Sequence, residues 1–398
     1  MHSTSKVISN EDLINSSKEK LDPFIFDFIS GGSGEEWGVS NNVSSFQQYQ
    51  IVPRVLQKSG DIDTSSVLLD QYLNSPIIIA PCAFHKLVCN EGELATARAA
   101  AKADTIFTLS TMSSYSIEDV AEASNSDKWF QLYVFKNKQV TLELIKKAED
   151  FGYKALVITV DVPAMGMRLR DIKNNFSLPN DIEAANFKKV GLSFLSDKID
   201  GSKIKEHTDH QFDSNMSWDS IDWISANTKL PIILKGILSP EDAEEALKHN
   251  IKGIIVSNHG GRQIDSIISA IDALPEIAKI INKKIPLILD SGVRCGEDIF
   301  KAIALGADAV MIGRPVLWAL SVGGEDAVVA LFSRLINEFT LTMRLAGCNN
   351  LQVIKDRGLN LLSGSKISTI KFFELIRKLE NSPVTEEAIK TISSMRFF

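Results

Sequence analysis

The stretch "IKGIIVSNHGGRQID", residues 251–265, is an apolar run that stops on a serine, an asparagine, a histidine, two glycines and an arginine. Its first part is short, unbroken and rich in β-branched side chains, the pattern of a parallel strand buried on both faces. A connecting loop has a use for the glycines but rarely for a base and a cation beside them. The reading is a buried strand that ends at a chemical site.

Seven other runs have the same character: "PIIIAP" (76–81), "TIFTLS" (105–110), "WFQLYV" (129–134), "ALVITVD" (155–161), "PIILKG" (231–236), "PLILDSG" (286–292) and "AVMIGRP" (309–315). Helical patterns separate most of them. "EGELATARAAAKAD" (91–104) carries alanines and leucine at helical spacing, and "NKQVTLELIKKAEDFG" (137–152) ends on a glycine stop. "SPEDAEEALKHN" (239–250) opens with Ser239 as N-cap, Pro240 at the first helical position and Asp242 three residues after the cap. Eight strands alternating with helices predict an α/β fold, a (β/α)8 TIM barrel. An open doubly wound sheet is the rival, and the count of eight favours closure.

The barrel spans residues 76–348, with one interruption: residues 162–230 form a polar excursion between the fourth and fifth strands, including "DKIDGSKIKEHTDHQ" (197–211). So long a connection is expected to be a lid or a disordered loop, and it leaves from the end of the barrel where sites form. An N-terminal segment (1–75) contains "DPFIFDFISGG" (22–32), a short helix capped by Asp22, started by Pro23 and stopped by Gly31. A helix from "GGEDAVVALFSRLINEFTLTMRLAGC" (323–348) closes the barrel, and a charged helical tail (349–398) follows. The whole chain reads as a single domain.

Composition narrows the partners. A net charge of −7 over 398 residues offers no general attraction to nucleic acid or to acidic membranes. No run approaches the roughly 18 apolar residues of a membrane span. The N-terminus lacks the apolar core of a secretory signal, and the ending "SSMRFF" is not an SKL-type address. Cys82, Cys89, Cys295 and Cys348 show neither a CxxC pair nor metal-ligand spacing, which suits reduced thiols inside a cell.

Every strand puts something polar or small at its C-terminal end, where barrels of this type place their chemistry. "DSGVRCG" (290–296) and "IGRP" (312–315) both set glycine and arginine just past a strand, at the usual phosphate position after strands seven and eight. Arg294 and Arg314 read as phosphate ligands rather than ordinary surface arginines. Lys235 ends the fifth strand inside an apolar frame, placed either to form a Schiff base or to hold an anionic or electron-rich ring. His259 is a candidate base, Arg262 a candidate carboxylate clamp, and Asp161 a group to orient or stabilise the imidazole.

Taken together, "SNHGGRQ" (257–263), "DSGVR" (290–294), "ALGADAVMIGRP" (304–315), "APCAFHKLVCNEGELATARAA" (80–100), "WFQLYV" (129–134), "VITVDVPAMGMRLRDIKN" (157–174) and "PIILKGI" (231–237) resemble the FMN-dependent 2-hydroxy acid oxidase and dehydrogenase family. The likeness covers roughly residues 10–350 in family order, and "DFISGG" and "AFHKLV" look most like the branch acting on longer-chain acids.

The resemblance implies FMN, its phosphate on Arg294, Gly313 and Arg314 with the backbone of Ser291, Gly292 and Val293. It implies contacts to the rest of the cofactor from Pro81, Cys82, Ala83, Ser110, Gln131, Thr159, Lys235, Ser257 and Asp290, with Lys235 stabilising the anionic reduced flavin. For the substrate it implies Arg168 and Arg262 on the carboxylate, Tyr133 on the hydroxyl, His259 as base and Asp161 as its support. The implied reaction converts an L-2-hydroxy acid and O2 to a 2-oxo acid and hydrogen peroxide, in a homo-oligomer (a tetramer foremost) that is peroxisomal or cytoplasmic.

Three positions depart from the glycolate-oxidising pattern. Phe28 stands where a tyrosine usually meets the carboxylate, Met112 where tryptophan is frequent, and Cys82 where threonine is common, with a thiol that is a weaker donor. The first two changes favour a greasier, longer substrate than glycolate. The alternatives are a flavin dehydrogenase with another electron acceptor, a flavin-free phosphate-binding lyase using Lys235 as a Schiff base, and a catalytically silent binding module.

Overall fold

The computed structural model describes residues 9–57, 60–188 and 210–380. Eight parallel strands close a barrel in chain order: β1 (Ile77–Ile79), β2 (Phe107–Ser110), β3 (Lys128–Leu132), β4 (Ala155–Thr159), β5 (Ile232–Ile237), β6 (Gly253–Val256), β7 (Leu287–Leu289) and β8 (Ala309–Ile312). Closure is made by β8 against β1, in the register Val310 to Ile77 and Ile312 to Ile79.

Both faces of each strand are buried, which explains the unbroken apolar runs. Ile78, Val157, Ile233, Ile255 and Ile288 point into the barrel, where they pack with Trp129. Their neighbours, such as Ile77, Leu156, Leu234 and Val256, pack outward under the helices. The expected helices form: Gly92–Lys102, Lys138–Asp150 behind an Asn137 cap, and Pro240–Ala246 behind Ser239, whose side chain accepts from the Asp242 amide.

A hairpin absent from the sequence reading, Ser66–Leu68 with Gln71–Leu73, plugs the N-terminal end of the barrel. It buries Leu68 and Leu73 in the interior, and Trp129 Nε1 donates to Gln71 Oε1 at 3.0 Å.

Three boundaries differ from expectation. The closing helix begins at Arg314, directly after β8, and runs to Ala346 with a break at Gly323 and Gly324. This helix is also long and apolar enough to span a membrane (mean hydropathy 1.5), contrary to the sequence reading. Here it packs on Gly296–Ala304 and Gly92–Lys102 and buries Leu331, Leu335 and Phe339. The excursion between β4 and β5 is shorter than residues 162–230, because Trp218–Ala226 is the regular barrel helix before β5. Of the supposed lid, residues 189–209 lie outside the described residues. The tail is not a simple helix: Leu351–Arg357 and Ser365–Glu380 flank a short strand, Leu362–Ser363, that pairs antiparallel with Gln50–Ile51. Residues 381–398 also lie outside the described residues.

Candidate active site

The glycines after β6 allow the backbone to reverse. His259, Gly260 and Gly261 all have positive φ (57°, 65° and 73°), a conformation costly for most side chains and free for glycine. A Cβ on Gly260 would stand 2.6 Å from Arg314 Nη1. The reversed turn brings Gly261 O onto the Ser33 amide (2.9 Å) and sends Arg262 to the end of the helix Pro23–Ser30. There Arg262 Nη1 donates to Phe28 O and Gly31 O, both at 2.9 Å. Arg314 seats on the same helix end through Ile29 O (3.1 Å) and Gly31 O (2.7 Å). Helix ends carry orphan carbonyls, so two guanidinium groups are suitable partners.

His259 Nδ1 lies 2.9 Å from Asp161 Oδ1. A carboxylate acceptor there places the proton on Nδ1 and leaves Nε2 as the basic nitrogen. Burial holds the imidazole below its ordinary pKa; Asp161 works against that shift and the Lys235 charge adds to it. Room for Asp161 comes from Gly236, where the register of β5 against β6 slips: a Cβ on Gly236 would come within 2.6 Å of Asp161 Cβ.

Deeper in, Lys235 Nζ meets Asp290 Oδ2 and Ser257 Oγ, each at 3.0 Å, and Ser257 Oγ donates to Asp290 Oδ2 at 2.6 Å. Burial opposes both charges, yet the pair outweighs it: Lys235 is raised and Asp290 lowered relative to their ordinary values. A Schiff-base lysine needs the opposite shift, toward a neutral amine. This geometry disfavours the lyase reading. Alongside, Gln131 bridges strands: its Nε2 donates to Thr159 Oγ1 (3.0 Å) and its Oε1 accepts from Ser110 Oγ (3.2 Å).

These groups line one cavity of about 180 Å³ at the C-terminal mouth. Pro81, Cys82, Ala83, Ser110, Gln131, Thr159, Lys235 and Asp290 line it from the first half of the barrel onward, and Ser291, Gly292, Val293, Arg294, Gly313 and Arg314 from the last two loops. His259, Tyr133, Arg168, Arg262, Phe28 and Met112 line it as well. Two expected residues do not: Ser257 is wholly buried beneath Lys235, and Asp161 stands behind His259.

Two features ask for an anion. The helix Arg314–Ala346 starts at Gly313 with no side-chain cap, and its N-terminal end lies beside Arg294 and Arg314. Burial pulls these guanidiniums down to about 10 and about 9, as expected of cations awaiting a counter-charge. Across the cavity, the buried Arg168 Nε has no hydrogen-bond partner among the described residues, and Arg168 is pulled to about 9 by burial and by the like charge of Arg262. A carboxylate would relieve both. Burial pushes the Tyr133 phenol up to about 12, so it remains a donor at neutral pH.

The sequence reading missed Phe212, Met165 and Val162 on the cavity wall. Val162 and Met165 lie within three residues of Arg168 or one of Asp161, and that proximity was the available signal. Phe212, beyond the long excursion, carried none.

A closed parallel barrel with a paired histidine, an uncapped phosphate-type helix start and a buried lysine at one mouth defines a flavin-using oxidoreductase of small acids. The chain belongs to the FMN-dependent dehydrogenase family, whose pattern matches residues 17–361. Its cofactor is FMN, and it oxidises 2-hydroxy acids. It is 40% identical to human 2-hydroxyacid oxidase 1 over 91% of this chain and 99% of that one. It is 41% identical to a peroxisomal (S)-2-hydroxyacid oxidase of Arabidopsis thaliana over 86% and 93%. The crystal structure of mandelate oxidase with (S)-4-hydroxymandelic acid superposes with a TM-score of 0.84 at 39% identity, covering 89% of this chain and 98% of that one. The donors at the mouth fit FMN: two arginines and a helix N-terminus for a phosphate, amide and hydroxyl groups for a polar ring edge, and one charged lysine.

Proposed function

We propose that the protein is an (S)-2-hydroxy-acid oxidase that hands its electrons to O2, and that it prefers medium or long-chain acids. The observation that carries the reading is the meeting, in one cavity, of a neutral histidine backed by Asp161 and an arginine, Arg168, whose Nε has no partner among the described residues.

FMN supplies the two-electron acceptor when bound. Arg294, Arg314, the Gly313 helix start and the backbone of Ser291, Gly292 and Val293 hold its phosphate. Gln131, Thr159, Ser110 and the Pro81–Ala83 stretch receive the remainder, and the Lys235 charge, held by Asp290 and Ser257, favours electron density on the ring. Arg168 and Arg262 grip the substrate carboxylate, each by charge-assisted hydrogen bonds. Tyr133 donates to the substrate oxygen, and His259 takes a substrate proton at Nε2. Asp161 then faces an imidazolium and stabilises it across 2.9 Å. In balance, the acid loses two electrons and two protons, and O2 gains both to become hydrogen peroxide.

Chain-length preference is supported by the apolar part of the cavity wall. Phe28 stacks on Phe176 (centroids 4.4 Å apart), and Met112, Met165 and Phe212 complete an apolar face. The alternative acceptor, a second redox protein, is the reading to be excluded by experiment. Purified protein that is yellow, bleaches anaerobically with (S)-2-hydroxyoctanoate and recovers in air establishes the oxidase. Bleaching without recovery assigns a dehydrogenase, and a protein that takes up no flavin overturns the proposal. We place it in peroxisome or cytoplasm, as a tetramer; a monomer in sedimentation at micromolar concentration contradicts the latter.

A further inference from the structure

Phe212 belongs to the chain returning from the β4–β5 excursion. It is pinned beyond the end of β3 by an antiparallel bridge to Phe135, with Lys136 N donating to Gln211 O (2.9 Å) and Asp213 N to Val134 O (2.8 Å). Its ring is buried, lies stacked on Tyr133 with centroids 4.7 Å apart and planes 20° apart, and meets Phe135 edge-on. The stacked pair lines the main cavity and also a second one of about 40 Å³, finished by Val134, Val160, Pro163, Asp213, Ser214 and Met216. The two cavities share Tyr133, Thr159, Val162 and Phe212.

We propose that Phe212 is the specificity-determining partition of this enzyme: its ring closes off the second cavity and thereby sets how long a substrate side chain the site accepts. The inference rests on the oxidase reading above, which fixes the acid's carboxylate on Arg168 and Arg262. With that end anchored, extra carbons of the substrate extend along the apolar wall, toward the aromatic pair. Tyr133 is committed through its hydroxyl. Phe212 has no polar atom and no chemical duty, so it is the member whose size can vary without loss of chemistry. Behind it, Val134, Val160, Pro163 and Met216 offer apolar surface to an alkyl extension, with Asp213 and Ser214 on the same cavity's wall.

The test compares wild-type, Phe212→Leu and Phe212→Ala holoenzymes with (S)-lactate and (S)-2-hydroxyoctanoate. Flavin reduction gives kcat/KM for each acid, and perturbation of the flavin spectrum gives Kd for pyruvate and 2-oxooctanoate. The expected result is a rise of at least tenfold in the octanoate-to-lactate ratio for Phe212→Ala, an intermediate rise for Phe212→Leu, and the same order in the Kd ratios. Ratios that stay within twofold of wild type, or move toward the short acids, overturn the proposal. Should Phe212→Ala fail to fold, the Leu variant decides by the same criterion. If wild type is bleached by neither acid, the oxidase reading fails, while the Kd ratios of the 2-oxo acids still judge Phe212.

Discussion

At its N-terminal end the barrel is filled by Trp129, Ile78, Ile233 and Ile288 under the hairpin that carries Leu68 and Leu73. At its C-terminal end the same strands lead into Lys235, Asp290, His259 and four arginines around a cavity, with Asp161 behind His259. The first end is held by close packing, where each deleted atom leaves a void. The second buries charges that water would otherwise solvate, and it holds them by pairing: Lys235 with Asp290, His259 with Asp161, Arg262 and Arg314 with helix-end carbonyls. Arg168 Nε and Asp161 Oδ2 remain without partners among the described residues.

Changing one end should leave the other intact. The largest effect is expected from His259→Gln, which keeps a donor for Asp161 but removes the base: kcat in rapid-mixing flavin reduction should fall by about 10³-fold or more, with the urea midpoint little moved. A loss under tenfold would remove His259 from the chemistry. Trp129→Ala should do the reverse, lowering unfolding free energy by about 3–5 kcal/mol in urea while kcat of the folded fraction stays within about twofold. A large kcat defect there would show that the two ends are coupled.

Asp161→Asn should reduce kcat/KM by about 10²-fold and displace the acid limb of the pH profile. The sign follows from the charges. Neutral His259 is the active form, so activity rises with pH through its pKa, which burial already holds below 6.5. Asp161 raises that pKa, so its removal moves the limb to still lower pH; a shift upward would break the assignment. The smallest effect is expected from Phe28→Tyr, which restores a donor near the arginines. It should raise kcat/KM for glycolate by up to about tenfold, on the order of one hydrogen bond. No gain for glycolate would detach Phe28 from the carboxylate end.

The barrel was legible because both faces of its strands are buried, which leaves eight apolar runs with polar ends in the sequence. The mouth residues were legible for the same reason: His259, Lys235, Asp290 and Arg314 each interrupt or follow such a run. What escaped notice depends on distant chain meeting distant chain. Phe212 reaches Tyr133 only through a single bridge across the excursion, and Gly236 makes room for Asp161 from a neighbouring strand. The bottom hairpin has strands of three residues, too short to show a period. Ser257 and Asp161, read from the sequence as site residues, stand behind Lys235 and His259 rather than on the cavity surface.

The seating of Arg314 on Ile29 O joins residues 285 positions apart. During synthesis the helix Pro23–Ser30 is among the first elements made, and the arginine that meets it among the last of the barrel. Until that late segment arrives, the helix end has only Arg262 of its two guanidinium partners, and the phosphate-type helix start does not exist. With the FMN phosphate seated as proposed, cofactor loading is a property of the finished barrel: a nascent or truncated chain lacking β8 and the helix that follows has no place to keep that phosphate.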